Sequence, residues 1–251
     1  MRGAGAWVLV RESCPTYSLV PTGVAAGPEP LTVGRNGTVP VGVELVDEGI
    51  SRVAVTVTAG RAGWTIDVGN RNGAVVHPWG LAPQRALATQ TVRWPLVAVR
   101  ITGTRPDQQH LLLLENDAYA GEDSPSEGGT TVITRLSSPP PPLAPAELQA
   151  LYLTFRDFLV WPPPTTPPQA QQLKQVATRS GKSLSGVQDR LRSAMEKALR
   201  LGLPSPTTLT NPDYLHVLVA AGYLPPAASR PFRRVLRWVG SDRSSTAEAR
   251  P

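Results

Sequence analysis

Three short stretches in the first third of the chain hold residue types able to grip an oxyanion: "VGR" (33–35), "ISRVAV" (50–55) and "DVGNRNGAVV" (67–76). They supply guanidinium groups at Arg35, Arg52 and Arg71, a hydroxyl at Ser51 and a carboxamide at Asn72. A phosphate monoester carries close to two negative charges and three acceptor oxygens. A site for it needs a guanidinium and short hydroxyl or amide donors brought together from neighbouring loops. Read singly, each residue says little: Arg35 after a strand is a solvated edge charge, and Asn72-Gly73 between two β-prone runs is a hairpin turn. Only their co-occurrence with Ser51 points to a binding rim. Trp64 reads as core. Asp67 reads as a turn-fixing residue, because no second carboxylate or histidine is spaced to work with it.

A second set of candidates lies in "QAQQLKQVATRSGKSLSGVQDRLRSAMEKALRLG" (169–202), where a helix, a glycine turn and a second helix follow one another. This stretch resembles a helix-turn-helix of the sigma-like and response-regulator type. The resemblance implies that the second helix enters a DNA major groove, with Lys182, Ser185, Gln188 and Arg192, beside Asp189, meeting bases and phosphates. Lys174, Arg179 and the Arg233, Arg234, Arg237 group would meet backbone phosphates. The alternative is a helical bundle whose solvated basic face binds protein.

Other chemistries are not spelled out. One cysteine, Cys14, and three scattered histidines (His77, His110, His216) exclude an internal disulfide and argue against structural zinc. There is no phosphate-cradling glycine loop followed by Lys and Ser/Thr, and no nucleophile motif with a histidine partner. The expectation is a non-enzyme with no catalytic residue, no metal and no cofactor. The apolar run near the N-terminus ends at Arg11, and no window reaches the roughly 20 apolar residues of a membrane span. A cytoplasmic protein without a membrane partner is expected.

The elements that must position these residues change character along the 251-residue chain, of which 41% is apolar. Between Ala6 and Asp117 run short segments rich in Val, Ile and Thr: "WVLV", "YSLV", "LTVGR", "VGVELV", "RVAVTVTA", "WTIDVG", "AVVH", "VRWPLVAVRI" and "HLLLLEN". Gly, Pro and Asn punctuate them, which predicts an antiparallel β-sandwich or barrel over residues 1–117. Residues 118–145, ending in four consecutive prolines, read as a Pro/Gly/Ser-rich linker, with "TTVITR" as a candidate edge strand. Residues 146–240 switch to a helical period and read as a small all-α domain.

Its first helix carries Leu148, Leu151, Tyr152, Phe155, Phe158 and Leu159 and stops at Pro162. The second ends at Gly181, and the third starts near Ser185 with Gln188 three residues on. The fourth opens at Asn211-Pro212. "PFRRVLRWVG" is a candidate fifth, and residues 241–251 a frayed tail. The net charge of +6 is uneven. Residues 1–137 hold 11 arginines and no lysine against 12 acids, whereas residues 138–251 hold 14 basic residues against seven acids. A basic partner surface therefore belongs to the second half.

With "VGR", "ISRVAV" and "DVGNRNGAVV" in this order, residues of roughly 5–117 resemble a forkhead-associated domain, the β-sandwich that binds phosphothreonine. The resemblance implies that Arg35 and Ser51 contact the phosphate and Asn72 holds the peptide main chain, with Arg52 and Arg71 flanking. The implied partner is a phosphothreonine-bearing protein, or a phosphorylated threonine of the chain's own linker such as Thr130 or Thr131. The sequence departs from the family pattern at Ala54, where the family has a histidine, at Arg71, often a threonine, and in lacking the Gly-Asp turn before the last strands. The bias toward Arg, Ala, Pro and Gly fits a GC-rich bacterial genome, in which Ser/Thr kinases would supply the ligand. Two alternatives stay open: an interaction module independent of phosphate, and a DNA-binding regulator whose sandwich only mediates dimerisation.

Overall fold

The structure, a computed structural model, describes residues 5–119, 139–164, 166–224 and 226. The run "TTVITR" with Thr130 and Thr131, most of the expected linker, "PFRRVLRWVG" with Arg233, Arg234 and Arg237, and the tail 241–251 lie outside the described residues. Among those described, one compact unit holds eleven strands; the other holds the helices together with the tetrapeptide Trp79–Ala82.

The strands are β1 (Ala6–Ser13), β2 (Thr22–Ala26), β3 (Leu31–Gly34), β4 (Val39–Pro40), β5 (Val55–Gly60), β6 (Gly63–Val68), β7 (Ala74–Pro78), β8 (Gln84–Ala86), β9 (Gln90–Val92), β10 (Leu96–Ile101) and β11 (Gln109–Glu115). They form a six-stranded sheet in the order β2-β1-β11-β10-β7-β8 and a five-stranded sheet in the order β4-β3-β5-β6-β9. Every pairing is antiparallel except the short parallel match of β3 with β4. Alternation drives the assembly: Val8 and Val10, Val55 and Val57, Trp64 and Ile66, Val97 and Val99, Leu112 and Leu114 share one core. Each fully buried aliphatic side chain stabilises it by about 1.5–3 kcal/mol. Trp64 is inaccessible to solvent and meets Tyr119 edge to face at 5.8 Å, so it is core.

Three expected strands resolve differently. "VGVELV" is a run of turns, because Gly42 (φ 77°) and Val46 (φ 51°) take left-handed backbone and Asp47 N–H returns to the Gly42 carbonyl at 3.0 Å. "YSLV" contributes only the isolated bridge Ser13↔Ser18. "VRWPLVAVRI" divides at Pro95, which has no ladder donor, and its two parts end in different sheets as β9 and β10.

The helical unit comprises α1 (Pro145–Thr154), α2 (Arg156–Leu159), α3 (Leu173–Ser180), α4 (Leu184–Arg200) and α5 (Asp213–Ala220). The first expected helix breaks at Phe155, whose buried ring packs edge to face on Tyr214 at 5.3 Å and on Phe158 at 5.9 Å. Gly181 (φ 63°) closes α3. The next helix begins one residue before the expected Ser185: Ser183 is its cap, with Oγ accepting from Gly186 N–H at 3.1 Å. Asn211 Oδ1 accepts from Asp213 N–H at 2.9 Å ahead of α5. The Trp79 indole N–H donates to the Leu159 carbonyl at 2.9 Å and His216 Nδ1 lies 2.8 Å from the Gly80 carbonyl, which fixes the tetrapeptide within this unit.

Candidate functional site

The β3 end, the 47–52 segment and the β6–β7 turn meet because glycine lets them. A Cβ on Gly34 (φ 152°) would lie 2.6 Å from the Arg52 carbonyl oxygen and 2.7 Å from that of Ser51, so β3 exits flush against the 51–54 segment. Arg35 N–H then donates to the Ser51 carbonyl (3.1 Å), Asn36 N–H to the Arg52 carbonyl (2.8 Å) and Ala54 N–H to the Val33 carbonyl (2.8 Å). Ala54 is buried without solvent access, and its backbone alone makes this junction. The Arg35 side chain is anchored through Nε to the Ile50 carbonyl at 2.6 Å, while the residue as a whole stays exposed.

The third loop is the turn Asn70–Gly73, closed by Gly73 N–H to the Asn70 carbonyl at 2.9 Å, with Gly73 at φ 77°. Asn70, 5% exposed, ties the loops together: its Oδ1 accepts from Ser51 N–H (3.0 Å), and its Nδ2 donates to the Gly73 (3.0 Å) and Thr102 (2.8 Å) carbonyls. The next two residues face Ser51 and Gly49. Arg71 N–H donates to Ser51 Oγ at 3.2 Å, and Asn72 Nδ2 lies 3.4 Å from the Gly49 carbonyl.

All five predicted rim residues therefore sit on three loops that touch. Arg35 and Arg71 hydrogen-bond Ser51 directly and Asn72 faces the Gly49 carbonyl two residues before Ser51; Arg52 is joined through its carbonyl, and its exposed side chain makes no hydrogen bond among the described residues. Asp67 does not fix the turn: it is exposed and accepts from Thr89 Oγ1 at 2.6 Å. No carboxylate pairs with Arg35, Arg52 or Arg71 among the described residues. Because Ser51 Oγ already accepts from Arg71 N–H, its own hydroxyl proton is free to be donated outward. Three unpaired guanidiniums and that hydroxyl are what an oxyanion needs.

Behind the rim lies a buried group that sequence reasoning missed. His110 Nδ1 is 2.6 Å from Glu12 Oε1 and Nε2 is 3.2 Å from Asp47 Oδ2. Glu12 Oε1 also accepts from Gly42 N–H at 2.8 Å, and Asp47 Oδ1 accepts from Gly49 N–H (2.9 Å), Thr104 N–H (3.1 Å) and Thr104 Oγ1 (2.8 Å). Burial pushes the Asp47 carboxyl up, but the donors from Thr104, Gly49 and His110 outweigh it and hold the group at about 2.

In the helical unit, Ser185, Gln188 and Arg192 recur at i, i+3 and i+7 on the outward face of α4, with Lys182 in the preceding turn. Arg192 pairs with Asp189 at 2.8 Å, which neutralises the only full positive charge among those three. Ser185 Oγ lies 3.2 Å from Ser183 Oγ.

The strands and loops thus define a two-sheet β-sandwich with a polar, cationic rim, followed by a small helical unit. No protein-family model matches the chain, and no curated protein matches it. Among solved structures, the first forkhead-associated domain of Mycobacterium tuberculosis Rv1747 is similar, with 19% identity over 43% of this chain and 96% of that chain and a TM-score of 0.29. Among the described residues, no helix is long and apolar enough to cross a membrane.

Proposed function

We propose that the sandwich binds a phosphothreonine-bearing segment of a partner protein, or of the chain's own linker, and that the chain is a non-enzymatic signalling protein. The observation that carries this reading is the junction in which Arg35 and Arg71 hydrogen-bond Ser51 while Asn72 faces the neighbouring Gly49 carbonyl. Arg35, held at Nε, presents its Nη groups; Ser51 donates its hydroxyl; Asn72 Oδ1, which takes no hydrogen bond among the described residues, accepts from a peptide N–H. Arg52 and Arg71 raise the local positive potential. Fluorescence polarisation with a phosphothreonine peptide and its unmodified twin tests this. The phosphorylated form is expected to bind at least tenfold tighter. Arg35→Ala is expected to remove about 2 kcal/mol, roughly thirtyfold, as for a lost charge-assisted hydrogen bond. Equal binding of the twins rules the reading out and leaves a phosphate-independent interaction module.

A second reading attaches to the helical unit, favoured by the shared outward face of Ser185, Gln188 and Arg192 after a three-residue turn. On that reading α4 contacts duplex DNA and phosphothreonine docking regulates the contact. A gel shift with the full chain on duplex DNA tests it, and the absence of any salt-sensitive complex removes it.

A further inference from the structure

His110, Asp47 and Glu12 are 0%, 1% and 7% exposed, so water is not the partner of either ring nitrogen. Each nitrogen faces a carboxylate oxygen, at 2.6 and 3.2 Å. Each of those two contacts needs a proton in it, and a neutral imidazole supplies one. With both carboxylates ionised and the ring neutral, one contact would set a lone pair against a carboxylate oxygen in a buried site.

We propose that Glu12, His110 and Asp47 hold two protons between them, and that this shared charge makes them a clamp positioning the recognition loop. The proposal rests on the reading of the rim as a phosphothreonine site. The clamp grips the loop at both ends: Glu12 takes Gly42 N–H, and Asp47 takes Gly49 N–H. What it holds is the stretch from which the rim is hung. Ile50 N–H donates to the Asp47 carbonyl, the Gly49 carbonyl faces Asn72 Nδ2, the Ile50 carbonyl receives Arg35 Nε, and Ser51 follows. The charged groups facing the ring are Glu12 from β1 and Asp47 from the loop. Thr104, from the β10–β11 connection, is neutral, and Glu44, Glu48, Arg105 and Asp107 on the flanking segments are exposed to solvent.

A folded state that binds one more proton than the unfolded chain is stabilised at lower pH and loses that stabilisation as pH rises. The loss begins above about 6.5, where an unfolded histidine releases its proton. Phosphate titrates the other way, becoming a better ligand as it passes its second pKa near 6. Release of the clamp therefore appears as an alkaline fall in affinity that the ligand's own titration cannot produce.

Asp47→Asn isolates the effect. Its Oδ1 keeps the three donors, and its amide N–H in place of Oδ2 supplies the proton to Nε2, so a neutral ring donating through Nδ1 satisfies both contacts. The measurement is urea unfolding of the ligand-free full chain between pH 6 and 9, followed by phosphothreonine-peptide affinity over the same range. Stability of the wild-type chain is expected to decline with pH, affinity to fall at least threefold from pH 7 to 9, and both slopes to flatten in Asp47→Asn. Should Asp47→Asn fold poorly, His110→Gln, which lacks the titratable ring, is expected to flatten the stability slope as well. Identical stability slopes in wild type and variants overturn the clamp. A stability slope without the affinity slope overturns its positioning role. A stability slope with no phosphopeptide binding at any pH leaves the clamp standing and removes the phosphothreonine reading instead.

Discussion

Asn70 has more hydrogen bonds than any predicted rim residue, yet it is buried beneath them. Removing its carboxamide leaves Ser51 N–H and the Gly73 and Thr102 carbonyls without their partner, at about 1–3 kcal/mol for a buried unsatisfied group. Asn70→Ala is therefore expected to lower the stability of the sandwich by about 2 kcal/mol in urea unfolding. It should also weaken phosphopeptide binding more than Asn72→Ala alters stability. In the sequence, "NRNG" offers two asparagines, and hairpin chemistry singles out the one before glycine. The chain uses the other as its fastener, because only Asn70 points inward toward the Ser51 backbone. The rim residues themselves were legible, since guanidinium, hydroxyl and carboxamide types recur at three turn positions. Which of them carry the hydrogen bonds depends on contacts between segments some 20 residues apart.

At the level of elements, parity along the strands carried a signal that composition hid. Val8, Val10 and Glu12 share one face of β1, and His110, Leu112 and Leu114 one face of β11; the register pairs Glu12 directly with His110. A carboxylate and an imidazole at two inward positions were thus visible in the alternation. Asp47 was not, because it directly follows "VGVELV", whose apolar spacing imitates a strand while Gly42 and Val46 turn the backbone. For Asp47, depression of the carboxyl from 3.8 to about 2 means stability that is present above pH 3.8 and is lost as pH falls toward 2. Wild-type sandwich is expected to lose about 1 kcal/mol between pH 5 and 3, and Asp47→Asn to lose less, as read by urea midpoints at pH 5, 4 and 3.

The helical elements have a comparable fastener. Glu147 accepts from Ala144 N–H, Ser193 Oγ and Lys197 Nζ at 2.6, 2.6 and 2.5 Å, with both partners of the ion pair less than 15% exposed. Burial pushes its carboxyl up, but Lys197 and the other donors prevail and leave it below the ordinary value. Lys197→Ala strands that carboxylate between α1 and α4, and a loss of about 3 kcal/mol in urea unfolding is expected. Helical period located these helices, but the ion pair joins positions 50 apart and has no local signature.

Over the whole molecule, charge is the property that decides between a DNA contact through α4 and a diffuse one. The basic excess of residues 138–251 is divided between the helices that resemble a recognition unit and the end of the chain. Residues 169–202 hold seven basic and two acidic side chains, and residues 227–251 hold six arginines against two acids. On α4 itself Arg192 is neutralised by Asp189, and Glu196 is exposed beside it. Binding driven by released counterions scales with the number of cations that reach phosphates, and it carries no sequence information. A diffuse contact predicts that a chain ending at residue 226, which loses six of those cations, loses a large part of its affinity for duplex DNA and of its salt dependence. Arg192→Ala in the full chain should change affinity by less than twofold. A gel shift at 50 and 200 mM salt separates the cases: retained affinity after truncation together with a large Arg192→Ala defect would instead place the contact on α4, as a base-reading helix requires.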